Sequence, residues 1–199
     1  MAVSCRRRGF SLTELLVAIG AIGVLAGMLM PVMGVVRETA RRTRCMGNLR
    51  QFGLATEVYR EDNRDWYPAV WTGSSRWMDA LKDYVQEPEV FDCPSSEHIL
   101  NPWDPDLVLA YGMNVYNFGG RCLWYGIQAD QVEVPSRTIL LADAIDGKYY
   151  VGSGVRWREP VQHVAYRHCD RFVAGFFDGH AEHLKHTTKD LWALGKSGY

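Results

Sequence analysis

Arg6-Arg7-Arg8-Gly9-Phe10-Ser11-Leu12-Thr13-Glu14, running straight into the charge-free apolar stretch Leu15–Val36, is the segment on which the reading of this chain turns. The apolar run is 22 residues long. At about 1.5 Å per residue it spans roughly 33 Å, enough to cross a hydrocarbon core about 30 Å thick. It is longer and more uniformly apolar than the central region of a secretory signal peptide. The sequence after it, Met30-Pro31-Val32-Met33-Gly34, offers no small-x-small cleavage site. One carboxylate, Glu14, stands at the mouth of the run. An unpaired charge there costs roughly 2.5–3.5 kcal/mol or more, so Glu14 is expected to have a partner, and that partner is expected outside this helix. Charge does not orient the segment: Arg6, Arg7 and Arg8 on one side nearly balance Arg37, Arg41, Arg42 and Arg44 on the other.

Gly9-Phe10-Ser11-Leu12-Thr13-Glu14, with a basic leader before it and an apolar helix after it, resembles the processing site of type IV pilins and of type II secretion pseudopilins. The resemblance implies that a prepilin peptidase cuts on the cytoplasmic side after Gly9 and methylates the new amino terminus at Phe10. It implies an assembly role for Glu14, a helix bend at Pro31, and a leader-inside orientation with the C-terminal part outside the cytoplasmic membrane. The chemistry is coherent. Cleavage would leave Phe10 with a cationic amine, with which Glu14 of an incoming subunit can pair in a filament. Two ions that are costly alone in lipid become tolerable together and fix the axial register. Pro31 removes a backbone donor. Gly20, Gly23, Ala26 and Gly27 permit close helix packing, although ordinary membrane-helix composition accounts for them equally well.

Beyond the apolar run the helix is expected to continue to about residue 62. Cys45, Leu49, Phe52 and Tyr59 fall on one face, and Arg41, Arg44, Glu57 and Glu61 lie opposite. Asp62-Asn63-Arg64-Asp65 and then Tyr67-Pro68 end the pattern. The remainder, Arg64–Tyr199, holds all 7 tryptophans and is long enough for one modest domain. Its aromatics read chiefly as core, with exposed glycan-binding rings as the alternative. Turns are expected at Cys93-Pro94-Ser95-Ser96, Asn101-Pro102-Trp103-Asp104-Pro105, Gly119-Gly120 and Gly152-Ser153-Gly154. Thr138–Ala142, Lys148–Val151 and Arg171–Phe177 are strand candidates, and Asp178-Gly179 links Phe172–Phe177 to His180–Lys185 as a hairpin. The fold class is α+β and pilin-like: a long N-terminal α-helix whose first half spans the membrane, packed on a C-terminal antiparallel β-sheet head. The expected division is a leader at 1–9, the helix at 10–63 with its transmembrane half at 15–36, and a periplasmic head at 64–199.

A second resemblance rests on Arg42-Thr43-Arg44-Cys45-Met46-Gly47-Asn48-Leu49-Arg50-Gln51, Tyr59, Asp62-Asn63, Cys93-Pro94-Ser95, and His168 with nine residues before Asp178-Gly179. This order is similar to a prepilin-like family of planctomycete-type bacteria, and it marks His168, Asp178 and Gly179 as a C-terminal motif. His163, His168, Asp170, Asp178, His180, His183 and His186 lie within 24 positions, so a zinc site deserves testing. No HExxH or paired CxxC spacing occurs, and His168 donating to Asp178 to pin the hairpin is the preferred account. Some pseudopilins hold calcium in a C-terminal loop; Asp143, Asp146 and Asp178 are the oxygens on offer here, with no EF-type loop to arrange them. The expectation is no metal and no cofactor.

Other activities find no support. There is no G-x-S-x-G, G-x-G-x-x-G or P-loop. Once Arg6–Arg8 are removed, 19 basic residues face 23 acidic ones, a net of −4 that does not suit nucleic acid. The Arg37–Arg50 cluster reads as a solvated face, with lipid headgroups as an alternative partner. Of the five cysteines, Cys5 lies in the leader. Cys45, Cys93, Cys122 and Cys169 can pair in three ways, or stay reduced and buried, and the spacing selects none of these. The resemblances therefore imply a non-enzymatic structural subunit of a type IV pilus-like filament or type II secretion pseudopilus, expected as a single-pass protein of the inner membrane. Its expected partners are itself or related pilin-like subunits, prepilin peptidase and a pilus or secretion assembly platform. The alternative is a membrane-anchored periplasmic binding protein or metal-dependent hydrolase.

Overall fold

A computed structural model of the chain describes residues 11–101, 104–116, 122–152 and 161–194. The expected cleavage positions Gly9 and Phe10 lie outside them, as do Gly119-Gly120 and Ser153-Gly154 of the expected turns. Helix α1 runs unbroken over Leu12–Asp62, 51 residues. It stops where Arg64 and Asp65 turn left-handed, with φ of 53° and 66°. There the Asp65 N–H bonds back to the Arg60 carbonyl at 2.9 Å and the Arg60 guanidinium is held by Glu57 and Asp65. The last carbonyls of the helix thus find donors as the chain reverses.

Two compact units divide the chain, Met1–Ala40 and Arg41–Tyr199. In the first, Leu12–Met30 is a helix long and apolar enough to cross a membrane, and none of it is buried. A helix apolar on every side is stable only when lipid or other apolar helices cover it.

The second unit begins with the outer stretch of α1. Cys45, Leu49 and Phe52 are fully buried, as their spacing predicts, and Tyr59 packs against the same core. Arg41, Arg44 and Glu61 on the other face are exposed. A short helix α2 follows at Trp77–Leu81. The strands are β1 (Leu100–Asn101), β2 (Asp104–Val108), β3 (Tyr111–Asn114), β4 (Ile139–Asp143), β5 (Tyr150–Val151), β6 (Phe172–Phe176) and β7 (Ala181–Leu184). Among the described residues β1 and β2 pair alone, and the other five form one sheet ordered β5-β3-β4-β6-β7. Its pairings are antiparallel except at one edge, where β5 runs parallel to β3. The sheet is therefore mixed rather than wholly antiparallel.

Strand β6 shows how the sheet serves two cores. Phe172, Ala174 and Phe176 join a cluster with Tyr116, Ile139 and Trp192, while Val173 and Phe177 join the cluster that contains Cys45, Leu49 and Phe52. That is the period-2 alternation of a strand buried on both faces. On β4 the register shifts between Ile139 and Leu141, and Leu140 and Leu141 both enter the α1-side cluster, as a bulge requires. Helix and sheet meet through glycine. A Cβ on Gly175 would lie 3.2 Å from the Leu49 Cβ, and one on Gly53 would lie 2.7 Å from the Gly179 Cα. The aromatics divide: Trp77 and Trp192 are wholly buried, whereas Trp66 and Trp71 remain about two-fifths exposed, at 43% and 39%.

Candidate functional site

Two places carry chemistry, one in each unit. At the start of α1, Glu14 Oε2 accepts the Ser11 N–H at 2.8 Å and Ser11 Oγ accepts the Glu14 N–H at 3.2 Å. This is a reciprocal capping box, Ser-x-x-Glu, which satisfies two donors that the helix cannot bond internally. The charge partner expected for Glu14 lies outside the helix; in the single chain its carboxylate caps the Ser11 N–H just ahead of α1. Pro31 lies inside α1, and the helix continues through it.

The second place is a buried cluster in the unit Arg41–Tyr199. Helix α1 presents Cys45, and the segment after the short 3-10 turn Pro88–Phe91 presents Cys93. The two form a disulfide across a sequence separation of 48 residues, with Cα atoms 5.6 Å apart. Asn48, one turn along the helix, donates to the Asp92 carbonyl at 2.8 Å and to the Tyr111 hydroxyl at 3.3 Å, and so holds the Cys93 segment to the helix. His168 enters from the loop before β6, where Cys169 and Asp170 both take left-handed φ, 53° and 56°, and the His168 N–H bonds the Arg171 carbonyl. Its Nε2 lies 3.4 Å from Cys93 Sγ and 3.6 Å from Asp143 Oδ2. Asp143 closes β4, and its Oδ2 also accepts the Val173 N–H at 2.7 Å. Cys45, Cys93, Asp143 and His168 are all 0% exposed. Burial pushes the Asp143 carboxyl up to about 6, against the pull of His168, Arg167 and the Val173 N–H.

Of the C-terminal histidines, His168 and His183 lie side by side, with ring centroids 6.3 Å apart. His168 meets Cys93 and Asp143, not Asp178; the expected His168–Asp178 bond is absent because Asp178 lies at the exposed tip of the β6–β7 hairpin and pairs with His180. Gly179 takes φ of 85° in that tip, a conformation glycine adopts without strain. His183 Nε2 lies 3.1 Å from the His168 carbonyl and its Nδ1 3.3 Å from the Arg42 guanidinium. His163 stands against the Tyr150 ring instead. The four-residue cluster is sealed, so it suits cross-linking or holding a small ion and offers a substrate no entry. Sequence reading missed its make-up. Cys45 and Cys93 were visible as candidates to pair, and Asp143 as an available oxygen, but nothing local joins them to His168.

A capped apolar helix continuing into the core of an α+β head is the pilin-like architecture. Comparisons with known proteins agree. The prokaryotic N-terminal methylation motif matches residues 4–30, and a family described as protein of unknown function (DUF1559) matches residues 35–93. The chain is 32% identical over 108 residues to type II secretion system core protein G of Pectobacterium carotovorum subsp. carotovorum, covering 52% of this chain and 67% of that one. It is 31% identical over 108 residues to the Klebsiella pneumoniae protein of the same name, covering 52% and 74%. With that of Escherichia coli (strain K12) the identity is 28% over 115 residues, covering 55% and 75%. No solved structure matches the chain significantly. The chain belongs to the family of type II secretion system core protein G, the pseudopilins.

Proposed function

We propose that this chain is a structural subunit of a type II secretion pseudopilus, anchored in the inner membrane by Leu12–Met30 and assembled with pilin-like subunits through that helix. The observation that carries the reading is the helix itself: apolar all round, exposed along its length and capped at its start by Ser11 and Glu14. Its apolar surface needs lipid before assembly and neighbouring helices after it. Glu14 uses one carboxylate oxygen on the Ser11 N–H in the single chain, which leaves the other free to meet the amine of a neighbouring Phe10.

The finer steps follow from the same reading. A prepilin peptidase removes residues 1–9 and methylates Phe10, the head faces the periplasm, and the subunit turns over no substrate. The domain division is the leader, the helix and the head at 64–199, with Pro31 as a bend. An intact mass of the membrane-extracted chain tests processing: the reading expects loss of residues 1–9 and gain of one methyl group. A mature chain still beginning at Met1 overturns it.

A further inference from the structure

The sealed cluster has a geometry that a disulfide alone does not explain. Cys45 Sγ, Cys93 Sγ and His168 Nε2 lie within 4.8 Å of one another, all buried. A catalytic relay through imidazole uses both ring nitrogens, one for each neighbour. Here a single nitrogen, Nε2, faces both the Cys93 sulfur at 3.4 Å and the Asp143 carboxylate at 3.6 Å. Three donors therefore converge from α1, the Cys93 segment and the loop before β6, and the Asp143 carboxylate of β4 stands beside the histidine. Asp143 supplies a second, independent sign: its Oδ1 is buried with no hydrogen-bond partner, which is costly for a carboxylate that the protein means to leave so. In a tetrahedral zinc site with Zn–S near 2.3 Å and Zn–N near 2.0 Å, sulfur and nitrogen stand about 3.5 Å apart, and nitrogen and oxygen about 3.3 Å. The observed separations are close to those edges.

We propose that Cys45, Cys93 and His168, with the Asp143 carboxylate beside the histidine, form a zinc-binding site whenever the two cysteines are reduced, so that metal and disulfide are alternative staples between α1 and the Cys93 segment. The two forms exclude each other because zinc takes thiolates. Reduction by a phosphine balances as follows: the phosphorus gives two electrons to the S–S bond and takes up the oxygen of one water, and the two protons of that water go to the sulfurs. Zinc binding then releases those two protons, and the sulfurs part to about 3.8 Å, the tetrahedral edge.

The test uses the full chain in mild detergent, reduced anaerobically with a phosphine, cleared of reductant and titrated with cobalt(II). The expected result is one cobalt per chain, with the intense visible bands of a tetrahedral ion and near-ultraviolet thiolate charge transfer, displaced by zinc; the oxidised chain takes up none. His168→Gln leaves both sulfurs able to pair and is expected to weaken cobalt binding by about tenfold or more. Cys93→Ser is expected to lose about half of the charge-transfer intensity, one of the two thiolates being gone. A double variant, Cys122→Ser with Cys169→Ser, is expected to keep the stoichiometry of one. The proposal is overturned if the reduced, folded chain shows no tetrahedral cobalt spectrum. Undiminished binding by His168→Gln overturns it too, as does loss of the ion from the Cys122/Cys169 variant.

Discussion

Gly53 is a position at which the fold leaves no room for a side chain. A Cβ there would meet the Gly179 Cα at 2.7 Å, a backbone atom that no rotamer change can move aside. Gly53→Ala is therefore expected to destabilise the head by about 1–3 kcal/mol, the usual cost of overpacking. All tryptophans lie at or beyond Trp66, so urea unfolding of the full chain in detergent, followed by tryptophan fluorescence, reads the head directly. Gly47→Ala, where an added Cβ meets nothing within 4 Å, is the matching control and is expected to be neutral or slightly stabilising. His163 supplies a second test at this scale. Burial, reinforced by Lys148, holds its pKa below 6.5. The unfolded chain then binds the proton more readily than the folded one. The associated stability is complete above 6.5 and is lost as the pH falls through the lower folded value. Burial lowers the His183 pKa as well, with the same sign. Asp143, whose carboxyl burial raises to about 6, acts with the opposite sign over the same range, so the expected readout is differential: between about pH 7.5 and about pH 5.5 the urea midpoint of His163→Gln falls less, or rises more, than that of the unsubstituted chain.

Helix α1 and the β6–β7 hairpin were legible from sequence because their signals are local. The helix was expected over about 11–62 and is found at Leu12–Asp62. The stripe of Cys45, Leu49 and Phe52 faces the core at the spacing that named it. Phe172–Phe177 and His180–Lys185 anticipate β6 and β7, with Asp178-Gly179 in the turn between them. Strand pairing was harder. Strand β5, Tyr150–Val151, falls inside the expected Lys148–Val151, but its parallel pairing with β3 across more than thirty residues has no local signal. Strand β3, Tyr111–Asn114, is buried at every position, so it shows no alternation. The Cys45–Cys93 link has the same character: the spacing of four cysteines leaves three pairings open, and only the contact between α1 and the Cys93 segment selects one. Closing a loop of 48 residues is worth about 4 kcal/mol on the chain-entropy account. Replacing Cys45 and Cys93 together by serine is expected to cost about that much in the metal-free chain, read as a fall in the urea midpoint. Reduction with a phosphine in the absence of metal should give a similar fall in the unsubstituted chain and none in the variant.

At the scale of the whole molecule, the division into the units Met1–Ala40 and Arg41–Tyr199 separates what anchors from what folds as a head, and it allows assembly to be tested without disturbing stability. Glu14 is the residue on which such a test turns, and the capping box determines which substitution is informative. Glu14→Ala removes the negative charge and the acceptor for the Ser11 N–H together, so lost assembly could reflect a frayed helix start. Glu14→Gln keeps a side-chain oxygen for that N–H, as glutamine serves at the third position of capping boxes, and removes only the charge. If pairing between Glu14 and the cationic Phe10 amine of a neighbour holds the filament in register, Glu14→Gln is expected to abolish assembly nearly as completely as Glu14→Ala. The urea midpoint of the head should stay within about 0.5 kcal/mol of the unsubstituted chain, as it does for substitutions far from a core. Filament yield by electron microscopy, measured beside tryptophan-monitored unfolding of the same preparations, separates the outcomes. Filaments from Glu14→Gln but not from Glu14→Ala would show that the carboxylate matters to the helix cap rather than to its neighbour, and the electrostatic account of assembly would fail.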